Sequence, residues 1–256
     1  MKKLLLIFLT PFVALFANEM DKKETSDESL KKTDDSPKKI DGFYIEGHLG
    51  FAYSVASNIK NISVGDQHGH DVSTYKLNET SFDGCPFAAR GVLGYSLHGF
   101  DVPLRFDLSY MFVDSIVWKD HNYFGSHYSI NSRLYSQTIL CNIYYDFFRY
   151  NIWSTYISAG GGYGYIKAKT SSVHEHSIAR VTKDTVDSSN NFAFDGAIGE
   201  LCHIAENIFI DMRYQFTYVG DLKLTNLATY YTNDDMKLDI KRVYTNVFTL
   251  GIGVSF

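Results

Sequence analysis

The amino-acid sequence predicts an all-β fold: an eight-stranded antiparallel transmembrane up-and-down barrel over residues 42–256, preceded by a disordered N-terminal tail. Three observations predict it. Apolar residues alternate with small or polar ones in eight separate stretches, which is the two-residue period of a strand with one oily face. The connections between the stretches are alternately short and long, as in barrels that turn tightly on one side of a membrane and loosely on the other. The last stretch places Tyr244, Phe248, Leu250, Ile252, Val254 and Phe256 on one face and Thr245, Thr249, Gly251, Gly253 and Ser255 on the other. In water such an oily edge strand invites aggregation; a closed barrel in lipid has no edge and needs its oily face outside.

The elements follow in order. Residues 1–17 read as a signal peptide, with Lys2 and Lys3 before the apolar run Leu4–Phe16 and the small residue Ala17 at its end. A helical anchor is the alternative, but it needs roughly 20 apolar residues, and this run is shorter and holds Thr10 and Pro11. Residues 18–41 are dense in both charges and lack aromatics, so they read as a disordered periplasmic tail. The eight stretches are Gly42–Tyr53, Gly84–Leu97, Phe100–Phe112, Arg133–Phe147, Asn151–Lys167, Asn191–His203, Asn207–Tyr218 and Arg242–Phe256. Their oily faces carry, for example, Phe43, Ile45, Leu49 and Phe51 in the first, Val102, Leu104, Phe106 and Leu108 in the third, and Ile208, Ile210, Met212 and Tyr214 in the seventh. The short connections are His98-Gly99, Phe148–Tyr150 and Ile204–Glu206; the long ones are 54–83, 113–132, 168–190 and 219–241. An even strand number puts both chain ends on the short-turn side.

The opposite strand face carries charge. Glu46, Arg90, Arg105, Asp107, Asp146, Asp195, Asp211 and Arg213 occupy it, together with His48, Asn142 and Gln215. On a soluble sandwich this would be a solvated face. In an eight-stranded barrel it points into a lumen just wide enough for side chains, so both signs are expected to pair there as an ionic network.

Composition narrows the classes further. The chain has 19 Tyr and 19 Phe against 4 Pro, which suits strands and interfacial belts. A formal charge of −5 offers no basic face for nucleic acid. Cys85, Cys141 and Cys202 fall on no two adjacent stretches and are expected to stay unpaired.

Several motifs, Gly42-Phe-Tyr-Ile-Glu-Gly47, Cys141-Asn-Ile-Tyr-Tyr-Asp-Phe147, Tyr156-Ile-Ser-Ala-Gly-Gly-Gly-Tyr-Gly-Tyr165, Asn207-Ile-Phe-Ile-Asp-Met-Arg-Tyr214 and the Phe256 terminus, resemble small outer-membrane barrels of the opacity-protein type, with the neisserial surface protein, OmpX and OmpA barrels as relatives. The resemblance covers Gly42 to Phe256. It implies a Gram-negative outer membrane, contact with its lipid and lipopolysaccharide, and a terminal strand (Tyr244 to Phe256) read by the barrel-assembly machinery. It implies no single function, since members include adhesins, immune-evasion proteins and structural proteins.

The remaining constellations are weaker. His68-Gly-His70 and His174-Glu-His176 have the residue type for a transition metal but lack a third and fourth ligand, so no metal and no cofactor is expected. His127-Tyr-Ser129 has no acid at an informative spacing, so no enzyme is expected. The glycines at 160–164 lie in a strand with no helix after them, unlike a phosphate loop. Trp118, Tyr123, Phe124 and Tyr128 lie beyond the oily band, as anchors for a partner or as strands continued past the membrane. The loops carry both signs of charge, with no patch that favours heparin or DNA. The expected function is therefore a monomeric surface protein with a structural, adhesive or host-interaction role at host surface molecules. A small-solute pore is the second reading and a lipid-modifying enzyme the third.

Overall fold

The computed structural model describes residues 40–56, 59–64, 85–123, 128–176, 179–227 and 236–256. The expected signal peptide and tail up to residue 39 lie outside the described residues. The strands are β1 (Gly42–Ala56), β2 (Ile59–Val64), β3 (Phe87–Ser96), β4 (Leu104–Tyr123), β5 (Tyr128–Tyr150), β6 (Trp153–His176), β7 (Ala179–His203), β8 (Ile208–Leu227) and β9 (Met236–Ser255). From β3 on, each pairs antiparallel with the strand before and after it in the chain; β1 pairs with β3 on one side and with β9 on the other, from Tyr44 opposite Ser255 to Ala56 opposite Val243. That last ladder closes the ring. Where β1 leaves β9, β2 takes over, from Ile59 opposite Ile240 to Val64 opposite Met236. The two share one position, so the barrel has eight antiparallel staves.

The alternation in sequence becomes an alternation of environment. Phe43, Ile45, Leu49, Phe51, Phe106, Leu108, Ile157, Phe192, Leu250 and Ile252 are exposed on the outer wall. The residues that alternate with them, such as Tyr44, Glu46, His48, Asp107 and Gly251, are buried. Among the described residues no helix is long and apolar enough to cross a membrane.

The strands are longer than the oily stretches. β4 to β9 run 20, 23, 24, 25, 20 and 20 residues, against roughly 9–11 for a tilted bilayer crossing. Much of the connections expected as loops at 113–132, 168–190 and 219–241 is therefore paired strand, and 59–64 within 54–83 is β2. Beyond the bilayer the outer face need not be oily, so the alternation that marks a lipid-facing strand fades while pairing continues. The parity also slips. The β4–β5 register shifts between Val113 and Ile116, and the β8–β9 register shifts around Gly220, where Gly220 (φ 111°) and Arg242 (φ 64°) take left-handed backbone.

At the other end the turns are tight. Asn151-Ile152 joins β5 to β6, Asn151 taking φ 53°, and residues 204–207 join β7 to β8. The first turn is longer than the expected His98-Gly99. A 3₁₀ turn over His98–Phe100 is followed by Asp101 at φ 58°, and β4 starts only at Leu104 because Pro103 has no N–H for the ladder.

Two apolar clusters lie inside the barrel. At the short-turn end Ile40, Tyr44, Val92, Tyr144, Tyr156, Leu201 and Phe209 form one buried cluster. Gly94 and Gly199 make room for it: a Cβ on either would overlap the ring of Tyr44 or Tyr156. Further along, Ala52, Ala88, Met111, Val113 and Val247 form a second cluster. The three cysteines are free, Cys85 and Cys141 being exposed on the outer wall.

Candidate functional site

Between and around these apolar clusters lies the polar interior. Glu46, Arg90, Arg105, Asp107, Asp146, Asp195, Asp211 and Arg213 all face inward and are buried, the most open at 8% exposure. Strand parity places them there, because each stands one residue from an oily outward neighbour.

Each arginine has a carboxylate. Arg105 takes Asp146 in a fork, Nε to Oδ2 at 3.1 Å and Nη2 to Oδ1 at 3.1 Å. Arg90 Nη2 lies 3.0 Å from Asp107 Oδ2, and Arg213 Nη2 lies 3.3 Å from Asp195 Oδ2. The Tyr144 hydroxyl ties two of these pairs together. It accepts from Arg90 at 2.7 Å and from Arg213 at 3.0 Å, and it donates to Asp107. Asn142 also donates to Asp107, and Arg213 Nε donates to Gln215 at 3.1 Å. The guanidinium of Arg105 stacks over Tyr144 at 4.6 Å and Tyr156 at 4.8 Å. The rings of the apolar cluster thus serve as the floor of the ionic one.

Glu46 and Asp211 remain. His48 Nε2 lies 2.8 Å from Glu46 and 3.8 Å from Asp211, and Tyr156 donates to both oxygens of Asp211 at 2.7 and 2.9 Å. These three side chains, with ligand atoms within 4.8 Å of one another, are the group among the described residues that could hold a metal ion. Glu46 and His48 bond to each other and Asp211 accepts from Tyr156, while His48 Nδ1 has no hydrogen-bond partner. Nearer the turns, His98 Nε2 sits 2.8 Å from Asp146, and Arg149 reaches the same carboxylate at 3.7 Å.

The tyrosines are what sequence reading missed. Tyr44, Tyr144 and Tyr156 share the parity of the charged residues, and that parity was the available signal.

The other named residues divide. Phe248, Leu250, Ile252 and Phe256 are exposed on the outer wall, with Tyr244 and Val254 half-buried beside them. The Phe256 N–H donates to the Phe43 carbonyl at 2.8 Å. Trp118 and Tyr123 lie in the paired end of β4, opposite Ser132 and Tyr128. Their side chains, that of Tyr128, and Phe124 altogether lie outside the described residues, as do His68, His70, His127 and the side chains of Ser129, His174 and His176.

No family model matches the chain. It is 26% identical over 228 residues to outer membrane protein PagN of Salmonella typhimurium, across 84% of this chain and 90% of that protein. Among solved structures it is similar to neisserial surface protein A, at 16% identity over 85% of this chain and 99% of that one, with a TM-score of 0.45. It is also similar to Ail, the attachment invasion locus protein of Yersinia pestis, at 14% identity over 85% and 100%, with a TM-score of 0.39. The match to an outer-membrane protein and the closed ring with an oily outside agree: this chain is an eight-stranded β-barrel of the outer membrane.

Proposed function

We propose that this is a surface-contact protein, an adhesin or host-interaction barrel, whose lumen is structural and whose projecting strand ends and loops meet molecules outside the cell. The observation that carries this reading is strand length: β5, β6 and β7 run 23 to 25 residues, about twice a bilayer crossing. Closing a barrel in the membrane does not require that excess, and long exposed connections are usually functional or disordered. In this reading the ionic network locks the barrel, the oily face of β9 ending at Phe256 is read by the assembly machinery, and the protein works as a monomer without catalysis. Apolar clusters and paired charges in the interior support this reading over a small-solute pore. Replacing residues 116–128 with a short Gly/Ser turn tests it. The variant is expected to fold with normal heat-modifiable mobility and to lose binding of whole cells to host surfaces. Unchanged adhesion in that variant and in variants shortened at the other three long connections would leave only a structural role.

A further inference from the structure

A glycine in β9 lets a side chain of β8 meet two side chains of β1. Gly251 pairs with His48 of β1 on one side and with Asp211 of β8 on the other, so the three stand in one row across the barrel wall. All three are buried and face inward. A Cβ on Gly251 would overlap the His48 ring, 2.5 Å from Nδ1. With no side chain there, the imidazole of β1 approaches the carboxylate of β8 across the intervening strand. Glu46 joins them from the neighbouring inward row, opposite Gly253, where a Cβ would lie 2.9 Å from its Cγ. Two glycines of β9 thus form a cradle for three potential metal ligands.

The neighbouring charges leave this group short of a cation. Arg105, Arg90 and Arg213 are taken by Asp146, Asp107 and Asp195. Arg105 reaches Glu46 only at 3.9 Å, on Oε1, the oxygen that His48 does not use. Two carboxylates therefore share one imidazole, and none of the three residues is more than 8% exposed. Buried charges are paired or coordinate metals. A protonated His48 leaves one negative charge over, whereas a divalent cation held by neutral His48 and both carboxylates leaves none. His48 commits only Nε2, which lies 2.8 Å from Glu46 Oε2 and 3.8 Å from Asp211 Oδ2; Nδ1 has no hydrogen-bond partner. A buried histidine that only ties strands together ordinarily uses both nitrogens. Zinc takes histidine and carboxylate ligands at about 2.0–2.2 Å, which sets them roughly 3.3 Å apart in a tetrahedron. The separations of 2.8 and 3.8 Å bracket that value, and the three ligand atoms lie within 4.8 Å of one another. Tyr156 donates to both oxygens of Asp211 and so fixes the plane of that carboxylate. One nitrogen and two oxygens suit a first-row transition ion better than magnesium or calcium, which take oxygen alone.

We propose that Glu46, His48 and Asp211 bind a divalent transition-metal ion inside the barrel. His48 Nε2 and one oxygen of each carboxylate are the ligands, and the proton between His48 and Glu46 is released to solvent when the ion enters. The site lies in the lumen and is independent of the surface-contact reading. The test is zinc binding by the full-length barrel, refolded in detergent with zinc and freed of loose metal by gel filtration. H68Q/H70Q/H174Q/H176Q serves as the background, because it removes the two His-x-His pairs. One zinc per barrel is expected, and excess magnesium should not displace it. H48Q and D211N should lower the affinity by about tenfold or more. G251A keeps all three ligands but sets a methyl group against the His48 ring, and should lower it as well. Heat-modifiable mobility reports folding. If these variants do not fold, anomalous diffraction at the zinc edge from crystals of the zinc-loaded wild-type barrel carries the test, with a peak expected between Glu46, His48 and Asp211. No bound zinc, unchanged affinity in folded H48Q or D211N, displacement by magnesium, or an anomalous peak only elsewhere would overturn the site.

Discussion

Arg105 bears most on the barrel interior at the scale of single residues. It is fully buried, forks onto Asp146, lies 3.9 Å from Glu46 and stacks on Tyr144 and Tyr156. Removing one member of a buried pair strands the other charge, which costs about 3–5 kcal/mol. Arg105→Leu is therefore expected to lower stability by about that much in urea unfolding, while Arg105→Leu with Asp146→Leu should recover part of the loss. Tyr144→Phe removes only a hydroxyl, but that hydroxyl accepts from two arginines and donates to Asp107. The expected cost is about 1–3 kcal/mol, since three buried polar groups lose a partner. A Tyr144→Phe barrel as stable as wild type would show that the hydroxyl is not the hub described. Which side each charge faces was legible in the sequence, because parity is a local property. Which arginine meets which carboxylate was not. Arg90 and Asp107, or Arg105 and Asp146, are joined through register between strands, and sequence spacing does not encode register.

At the scale of elements, the oily half of each strand was legible and the projecting half was not. Phe106, Leu108 and Tyr110 announce β4 because lipid selects every second residue. Past the register shift at Val113, the same strand continues through Ser115 and Lys119 with no such selection. The tight-turn ends show the complementary error: Pro103 delays β4, although the preceding Val102 fits the alternation. The end of β9 yields a prediction of its own. Its oily face lies on the outer wall, and Phe256 both caps that face and hydrogen-bonds to Phe43 of β1. Deleting Phe256 is expected to reduce the outer-membrane yield of heat-modifiable protein several-fold; normal yield and mobility would make the residue ordinary. Gly94 offers a second test, because a side chain there must displace the Tyr44 ring. Gly94→Val should cost about 1–3 kcal/mol by overpacking, measured in the same urea titration, and no loss would mean that the ring moves freely.

At the scale of the whole molecule, the ring and its filled interior set the limits on function. The outward face of β6 is apolar and aromatic from Trp153 to Tyr165, and the strand continues past it to His176. Inside, the sequence foretold charge but not the two apolar clusters, because Tyr44, Phe209, Met111 and Val247 read as oily wherever they fall. The clusters and the arginine–carboxylate pairs occupy the interior among the described residues, and the proposed surface-contact reading places activity on the outside of the barrel. Recording the full-length protein in planar bilayers tests this assignment most directly. The account predicts a membrane that stays at baseline conductance after the folded barrel inserts, whereas stable, stepwise openings from the wild-type protein would contradict it.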